Sequence, residues 1–483
     1  MRINEVGKKI LEDPFLFRLS HLAQEKDIPI FLVGGFIRDS ILEMDRSVDL
    51  ESTCPKSPRP SGKDYDFALP REASVLIPVI EEALHLHFFK VGKEEMNTAT
   101  YRIVKENISV DLTLFQGKTI EEDLQRRDFT INAAAFSLRD QTFHFAQTTL
   151  EDMADRVIRS VSNQSIDQDP LRMLRAIRYL CTLDHFAIDR FLKEAIFLKK
   201  EKIRKLPGER IKMELDQIFL SSRPEVGVRF LYEWGLLFEL IPDLRNLENL
   251  GQGAHHHLDV LSHTLLMIEK ILWASQWVSQ RKGGLSLSPL DWVSLYYSAL
   301  FHDIGKQDTY SKDEKGRVHF FHHEAFSCQR AERIMERLKF SNPLRNKTLR
   351  LIQHHMRILN LSRETKETAF RRLVYQMADE TPLLALHTLA DKEASRGILS
   401  SQDDEMLETH TLRILEIFHK KDVVRPPVLI TGHDVMTLGY SPGPKVGQIL
   451  NFIREKQVEG EIRNREEALN TLKERFKIDF KND

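Results

Sequence analysis

The sequence predicts an α+β protein: a small mixed β-sheet with helices packed on it at the N-terminal end, followed by a mostly α-helical remainder. Three observations carry this. Apolar, β-rich runs of strand length recur at 28–33, around Asp64–Asp66, at 98–104 and at 108–115, and the last of these alternates apolar and polar residues with a period of two. Apolar residues at helical spacing run from 5 to 25, ahead of the first strand, and from 72 to 88, between the second and third. From Ile158 onward the composition becomes almost purely helical.

At 483 residues the chain is long enough for three or four domains of about 100–200 residues each. The pattern places boundaries near 150, 245 and 400: a sheet-bearing domain over 1–150, a helical neck over 151–245, a histidine-rich helical domain over 246–400 and a helical tail over 401–483. With 70 Lys+Arg against 72 Asp+Glu the net charge is −2, so there is no global basic signature and any contact with nucleic acid must be local. Cys54, Cys181 and Cys328 are widely separated and fit neither a disulfide framework nor a thiolate zinc site, which favours a reducing cytoplasm. No apolar run approaches the ~18–20 residues needed to span a membrane, so the chain reads as soluble and cytoplasmic.

The first strand stops at Gly34-Gly35 and leads into a helix carrying Arg38 and Asp39. Two glycines let backbone N–H groups approach phosphate oxygens, the helix start adds partial positive charge, and Arg38 lies one turn on to pair with an anion, so the turn can hold a triphosphate. After a Ser/Pro-rich insert over 45–62, which reads as a surface loop, Asp64 and Asp66 flank Tyr65 with both carboxylates on one face of a strand. That is a platform for magnesium. Asp111, in the alternating stretch ISVDLTLF, is the candidate third carboxylate; Val110, Leu112 and Leu114 would face the core and Asp111 and Thr113 the cleft.

Each signal alone is ordinary turn or surface chemistry, but their order and proximity resemble the nucleotidyltransferase palm of the polymerase beta superfamily. In LQRRDFTINAAAF, Asp128 and Asn132 are expected on one helical face with Arg127 adjoining, a plausible grip for ribose and phosphate. In DQDPLRMLRAIRYL, Arg172, Arg175 and Arg178 recur every three residues along one face of a helix whose other face carries Leu171, Leu174 and Ile177. Asp169 and Arg172 could meet a base edge while Arg175 and Arg178 neutralise phosphates.

GGFIRD, DYD, RRDFTINA and DPLRMLRAIRY, in this order, resemble the bacterial class of tRNA nucleotidyltransferases and poly(A) polymerases, and the likeness extends through the helical segment 209–244. The resemblance implies that Asp64 and Asp66 hold magnesium, with Asp111 the candidate that completes the catalytic carboxylates. It implies that Gly35, Arg38 and Arg127 bind the incoming nucleotide, to which the turn and the residue spacing add Gly34, Asp128 and Asn132, that Asp169 and Arg172 read its base as an amino-acid template, and that Arg175 and Arg178 hold its triphosphate. Gln168 stands where the family often has Glu, so the template falls on Asp169 and Arg172 alone.

A second constellation follows. His263, His302-Asp303, His322-His323, His354-His355 and Asp391 sit on or beside successive expected helices, an arrangement that resembles the HD metal-dependent phosphohydrolases. The resemblance makes His263, His302, Asp303 and Asp391 ligands, with His323 and His355 extending the site and His322 and His354 outside it. The metal would be a divalent transition ion such as Mn2+, Ni2+ or Fe2+, whose bound water becomes a nucleophile near neutral pH. The tail, PPVLITGHDVMTLGYSPGPKVGQILN, is similar to the RNA-contacting C-terminal segment of the same polymerase family, with His433 and Asp434 structural.

The implied activity is template-independent transfer of CMP, AMP or both from CTP and ATP to the 3′ end of tRNA. The connection 116–122 before the RRDFT motif is short where CCA-completing relatives carry a flexible loop, so CC-addition alone is the alternative to full CCA synthesis. Poly(A) polymerase and an inert RNA-binding or signalling HD protein are the further rivals. The first usually carries a basic tail that is absent here, and the complete carboxylate set argues against the second.

Overall fold

The computed structural model describes residues 3–45, 63–91, 100–105, 108–115, 117–252, 258–362, 364–395 and 402–476; the insert expected at 45–62, Cys54 and Gln116 lie outside them, apart from Asp45 itself. The chain divides into two compact units, Met1–Leu240 and Ile241–Asp483.

The first unit is built on a seven-stranded mixed sheet, as expected. Its strands are β1 (Phe31–Val33), β2 (Lys63–Leu69), β3 (Phe89–Val91), β4 (Thr100–Lys105), β5 (Ile108–Leu114), β6 (Ala134–Ser137) and β7 (Phe143–Phe145). Their order across the sheet is β3-β4-β5-β2-β1-β6-β7, with β2 and β5 parallel and every other pair antiparallel. Tyr65, Phe67, Val110 and Leu112 fill one face at 1% exposure or less, so the residues between them on β2 and β5 are directed to the other. Leu114, expected in the core with them, is only half-buried.

Local chemistry divides three stretches that periodicity alone reads as single helices. Residues 5–25 form two helices, Ile3–Leu11 and Pro14–Glu25, because the Asp13 carboxylate accepts the backbone N–H groups of Phe15 and Leu16 and Pro14 occupies the first helical position. Residues 72–88 give a 3₁₀ turn and the helix Ile77–Leu84, which ends at His85 in the left-handed region (φ 54°) before β3. The helix expected across LQRRDFTINAAAF is a correction. Helix ends with Ile120–Leu124, a 3₁₀ turn spans Thr130–Asn132, and the alanine run becomes β6. Ala134, Ala135 and Phe136 are at most 1% exposed between β1 and β7, and pairing on both edges overrides alanine's helix preference. Beyond the sheet the unit is helical, with Arg172–Thr182 packed on Gly208–Phe219 and on Pro224–Glu233.

In the second unit the helix Thr381–Ser395 is buried from Thr381 through Asp391 and packs against Val260–Lys282, Pro289–Phe301 and Gln402–Phe418. A β-hairpin, Tyr310–Lys312 with Val318–Phe320, has no counterpart in the sequence reading. In the tail, Ile430, Val435, Ile449, Ile453 and Leu472 form a small separate core beneath the helices Pro444–Glu459 and Arg465–Arg475. Asp434 caps its own helix through Thr431 and pairs with Arg465 at 2.5 Å, a structural role. Among the described residues no helix is long and apolar enough to cross a membrane.

Candidate active site and a buried histidine cluster

Gly34 closes the first strand with φ +80°, and a Cβ there would lie 2.9 Å from Asp66 Oδ2. Glycine is therefore required twice, by conformation and by the approach of the carboxylate. The helix Gly35–Asp45 starts at once, and Arg38 stands a turn into it. Its guanidinium is buried, donating to Asn132 Oδ1 at 2.8 Å and to Asp39 at 2.8 Å, 5.2 Å from the ring centre of Tyr179.

Register brings the three carboxylates to adjoining strands. Asp66 pairs across β1 with Val33 and across β5 with Asp111, and Asp64 lies two residues along the same face. Tyr65 points the other way and donates its hydroxyl to Asp13 at 2.9 Å, which anchors the strand from below. Burial, and then repulsion from Asp64 and Asp111, push the Asp66 carboxyl up to about 6 against the pull of Arg127 and Arg175. A half-buried carboxylate that resists ionising beside two others is a place short of positive charge, and an all-oxygen donor set fits Mg2+. Asp111 is engaged already: Arg102, its partner on β4, donates Nε at 2.6 Å and a terminal nitrogen at 2.5 Å to its two oxygens.

A cavity of about 370 Å³ beside the carboxylates is lined by Asp66, Thr113, Arg126, Arg127, Arg172 and Arg175 among others. A wider cleft of about 1100 Å³ takes in Gly35, Arg38, Asp64, Asp66, Arg175 and Arg178. Asp128 and Asn132 are both buried. Asp128 accepts from Asn132 and from the Phe129 backbone and pairs with Arg175 at 2.9 Å, so Arg38, Asn132, Asp128 and Arg175 form one bonded chain. The i, i+4 contact expected between Asp128 and Asn132 thus exists on an extended-then-3₁₀ backbone, and it supports arginines from beneath. Burial opposes the Asp128 charge, but Arg175 and the donated hydrogen bonds outweigh it and hold the carboxyl below its usual range. Arg178 pairs with Glu214 at 3.1 Å. Arg172 donates to Ser165 and to the Arg126 carbonyl, while Asp169 accepts from the Leu171 backbone and pairs with Arg210 at 2.8 Å. Arg172 therefore reaches the cavity, and Asp169 is turned toward Arg210.

In the second unit, all six residues expected as ligands converge. His263 meets Asp391 at 3.1 Å, His302 meets Asp303 at 3.1 Å, and His323 meets Asp303 at 3.2 Å. They form two buried groups, His263–His302–Asp391 and Asp303–His323–His355, each with its ligand atoms within 4.8 Å of one another. Nδ1 of His302, His323 and His355 lies 2.9, 2.9 and 2.7 Å from the carbonyl oxygens of Ala299, Phe320 and Ile352, so Nδ1 donates in each ring and Nε2 is the nitrogen turned into the cluster. The Nε2 atoms of His323 and His355 stand 3.1 Å apart, close enough to share a proton or to flank one cation. Burial, with His302 adding to it, pushes His355 down to about 3, so it is neutral at ordinary pH. Imidazole with carboxylate suits a first-row transition metal. His322 is exposed and His354 half-buried, and neither joins the cluster.

Three comparisons bear on this geometry. Residues 30–159 match the family model described as the poly(A) polymerase head domain, and residues 310–472 match domain 2 of the tRNA nucleotidyltransferases. The chain is 31% identical to a CC-adding tRNA nucleotidyltransferase of Thermus thermophilus, over 91% of this chain and 92% of that one. The chain belongs to the tRNA nucleotidyltransferase family. It is also 30% identical to an A-adding tRNA nucleotidyltransferase of Deinococcus radiodurans, over 90% of this chain and 93% of the other. A solved CCA-adding enzyme in complex with ATP shares the fold, with a TM-score of 0.59 and 21% identity over 96% of this chain and 95% of that one.

Three residues at these sites were not singled out from sequence. Arg102 carries no local motif, and only the β4–β5 register reveals it. His387 is fully buried, its ring centre 5.4 Å from that of His302 and 5.8 Å from that of His355; its spacing of four from Asp391 on one helix was the available signal. Lys306, in HDIGK, lies 2.7 Å from Asp303 and donates to Gln252 at 2.6 Å.

Proposed function

We propose that this member of the family transfers nucleotides from CTP, ATP or both to the 3′ end of tRNA at the Asp64–Asp66–Asp111 site. The observation that carries the reading is the register: three carboxylates on adjoining strands directly beneath a glycine turn, with an arginine-lined cavity beside them. Asp64, Asp66 and Asp111 would hold Mg2+, which when bound lowers the cost of forming the attacking alkoxide and of releasing pyrophosphate. Gly34 and Gly35 admit the triphosphate close to the backbone. Arg127, Arg175 and Arg178 supply positive charge along it, held by Asp123, Asp128 and Glu214. Arg172 is the base-reading donor nearest the cavity, and Asp169 acts with it once Arg210 is displaced.

A single specificity, CC-addition in particular, is the narrower reading. The relatives matched over nine-tenths of the chain are named for CC- or A-addition, whereas a multifunctional CCA protein of Actinobacillus pleuropneumoniae matches over 71% of the chain. The short connection is also tied down. Thr119 accepts from Glu122, the Glu122 carboxylate accepts from Lys118, and the Cα of Gly117 sits so close that a Cβ would meet Glu122 at 2.6 Å. A pocket that changes from CTP to ATP needs a segment able to occupy two states. Transcripts ending at the discriminator base, at C and at CC, each given one labelled nucleotide, test this. The narrow reading expects two residues from CTP and almost none from ATP on the CC end, and efficient ATP incorporation rules it out.

The histidine cluster supports a second activity of the same chain, metal-dependent hydrolysis of phosphoesters. His263, His302, Asp303, His323, His355 and Asp391 would hold the ions. The cavity over them, about 420 Å³, is walled by Val318, Phe320, Met356 and Leu359. Hydrolysis of a chromogenic phosphodiester that survives Asp66→Ala and disappears with Asp303→Ala is the expected result. Hydrolysis that persists in Asp303→Ala contradicts it.

A further inference from the structure

We infer that Arg102 sets the divalent-cation affinity of the carboxylate site, because it holds Asp111 in a fork that a bound cation must displace. The inference rests on the assignment of Asp64, Asp66 and Asp111 to that cation. Arg102 and Asp111 are direct cross-strand partners on β4 and β5, and Asp111 is in turn the partner of Asp66 on β2, so the pair is created by sheet register beside the other carboxylates. The two N–H···O contacts, at 2.6 and 2.5 Å, take one carboxylate oxygen each. A guanidinium held this way is planar, charge-assisted and well matched to a single carboxylate, and it leaves neither oxygen wholly directed at a third party.

The consequence is visible in the geometry. Among the described residues, the groups whose three ligand atoms lie within 4.8 Å of one another are the two in the histidine cluster, and Asp64, Asp66 and Asp111 do not form such a group. The donor set is complete in kind and open in arrangement, and the side chain that holds both oxygens of Asp111 is Arg102. Asp64 and Asp66 also act on its guanidinium, which thus supplies the local positive charge that a cation would bring. Exposure says which partner moves: the Asp111 side chain is 15% exposed and that of Arg102 46%. On cation binding, Asp111 exchanges its guanidinium partner for the ion, and Arg102 swings toward solvent. Arg102 is therefore a positioning residue that acts through Asp111.

The test uses the full chain and Mn2+ as probe, with free Mn2+ measured by electron paramagnetic resonance and no nucleotide present. The sites that belong to the carboxylates are those lost in Asp66→Asn, which separates them from the histidine cluster. Arg102→Gln is expected to bind Mn2+ at these sites about tenfold more tightly, which corresponds to about 1.4 kcal/mol. Arg102→Lys, which keeps the charge and loses the fork, is expected to tighten binding about threefold. In an Asp111→Asn background, Arg102→Lys, which loses the fork and keeps the charge, is expected to change nothing. An unchanged or weaker affinity in Arg102→Gln overturns the inference, as does a tightening by Arg102→Lys that survives Asp111→Asn. A wild type with no Mn2+ sites sensitive to Asp66→Asn overturns the cation site itself, a distinguishable result. The side chain is half-exposed, so circular dichroism of each variant should match wild type.

Discussion

Asp66 sits where its charge is a burden to the folded chain, and replacing it with Asn should make the protein more stable while abolishing its chemistry. Burial and the neighbouring Asp64 raise its carboxyl from the ordinary 3.8 to about 6. Because the folded pKa exceeds the unfolded one, the folded chain binds more protons between these values, and stability falls as pH rises through that window. Ionisation at pH 8 costs the folded chain up to about 3 kcal/mol, at about 1.36 kcal/mol per pKa unit, and partial contact with water reduces this to about 1–3 kcal/mol. Asp66→Asn removes that cost. For a unit of this size each kcal/mol moves the midpoint by about 2–4 °C, so the variant should unfold roughly 2–12 °C higher at pH 8. The gain should be about half as large at pH 5 and vanish below about pH 3. The assay is calorimetry in EDTA, which strips cations from both proteins. Mg2+ should then stabilise wild type and leave the variant unmoved. A variant less stable than wild type at pH 8, or a difference independent of pH, would refute the electrostatic account of this site.

Gly34→Ala should lower the midpoint of the same unit and reduce nucleotide transfer at least tenfold; the left-handed backbone costs about 1–2 kcal/mol, and the new Cβ meets Asp66 Oδ2 at 2.9 Å. Wild-type turnover in this variant would show that the turn does not set the position of the carboxylate. Arg172→Ala should relax the preference among CTP, ATP, UTP and GTP by about tenfold, since a lost base-edge hydrogen bond is worth about 1–3 kcal/mol, and should slow the preferred nucleotide less. Equal nucleotide preference before and after would move the base-reading role elsewhere. His302→Ala and Asp303→Ala should each lose transition metal tenfold or more, measured by elemental analysis after dialysis against limiting Mn2+, with nucleotide transfer retained. Equal metal content in wild type and variants would contradict the ligand assignment.

Features set by short-range chemistry were legible in the sequence. Gly34-Gly35, the alternation around Tyr65 and the period-two stretch carrying Asp111 announced a turn, a strand and a facing strand, and the sheet joins them in register. The histidines were legible because residue types suited to one metal recurred on successive helices, and the folded unit brings their ring nitrogens together. What escaped depends on pairing between distant segments. Ala134–Ser137 reads as helix until two neighbouring strands bury it, and the bonds of Asn132 to Arg38 and of Asp128 to Arg175 join segments far apart in the chain. Arg102 is one charge in an exposed strand of the sequence and becomes informative only when β5 sets Asp111 opposite it. The left-handed residue at His85 and the break at Asp13-Pro14 are local signals that a helical periodicity overrode.

The most direct measurement is transfer of labelled CMP from CTP to a tRNA transcript that ends at its discriminator base, with Mg2+, by wild type and by Asp66→Ala in parallel with a tRNA-binding assay. The account predicts extension by wild type, a loss of several orders of magnitude in the variant, and nearly equal tRNA binding by both. Extension of the transcript by Asp66→Ala at the wild-type rate would contradict it.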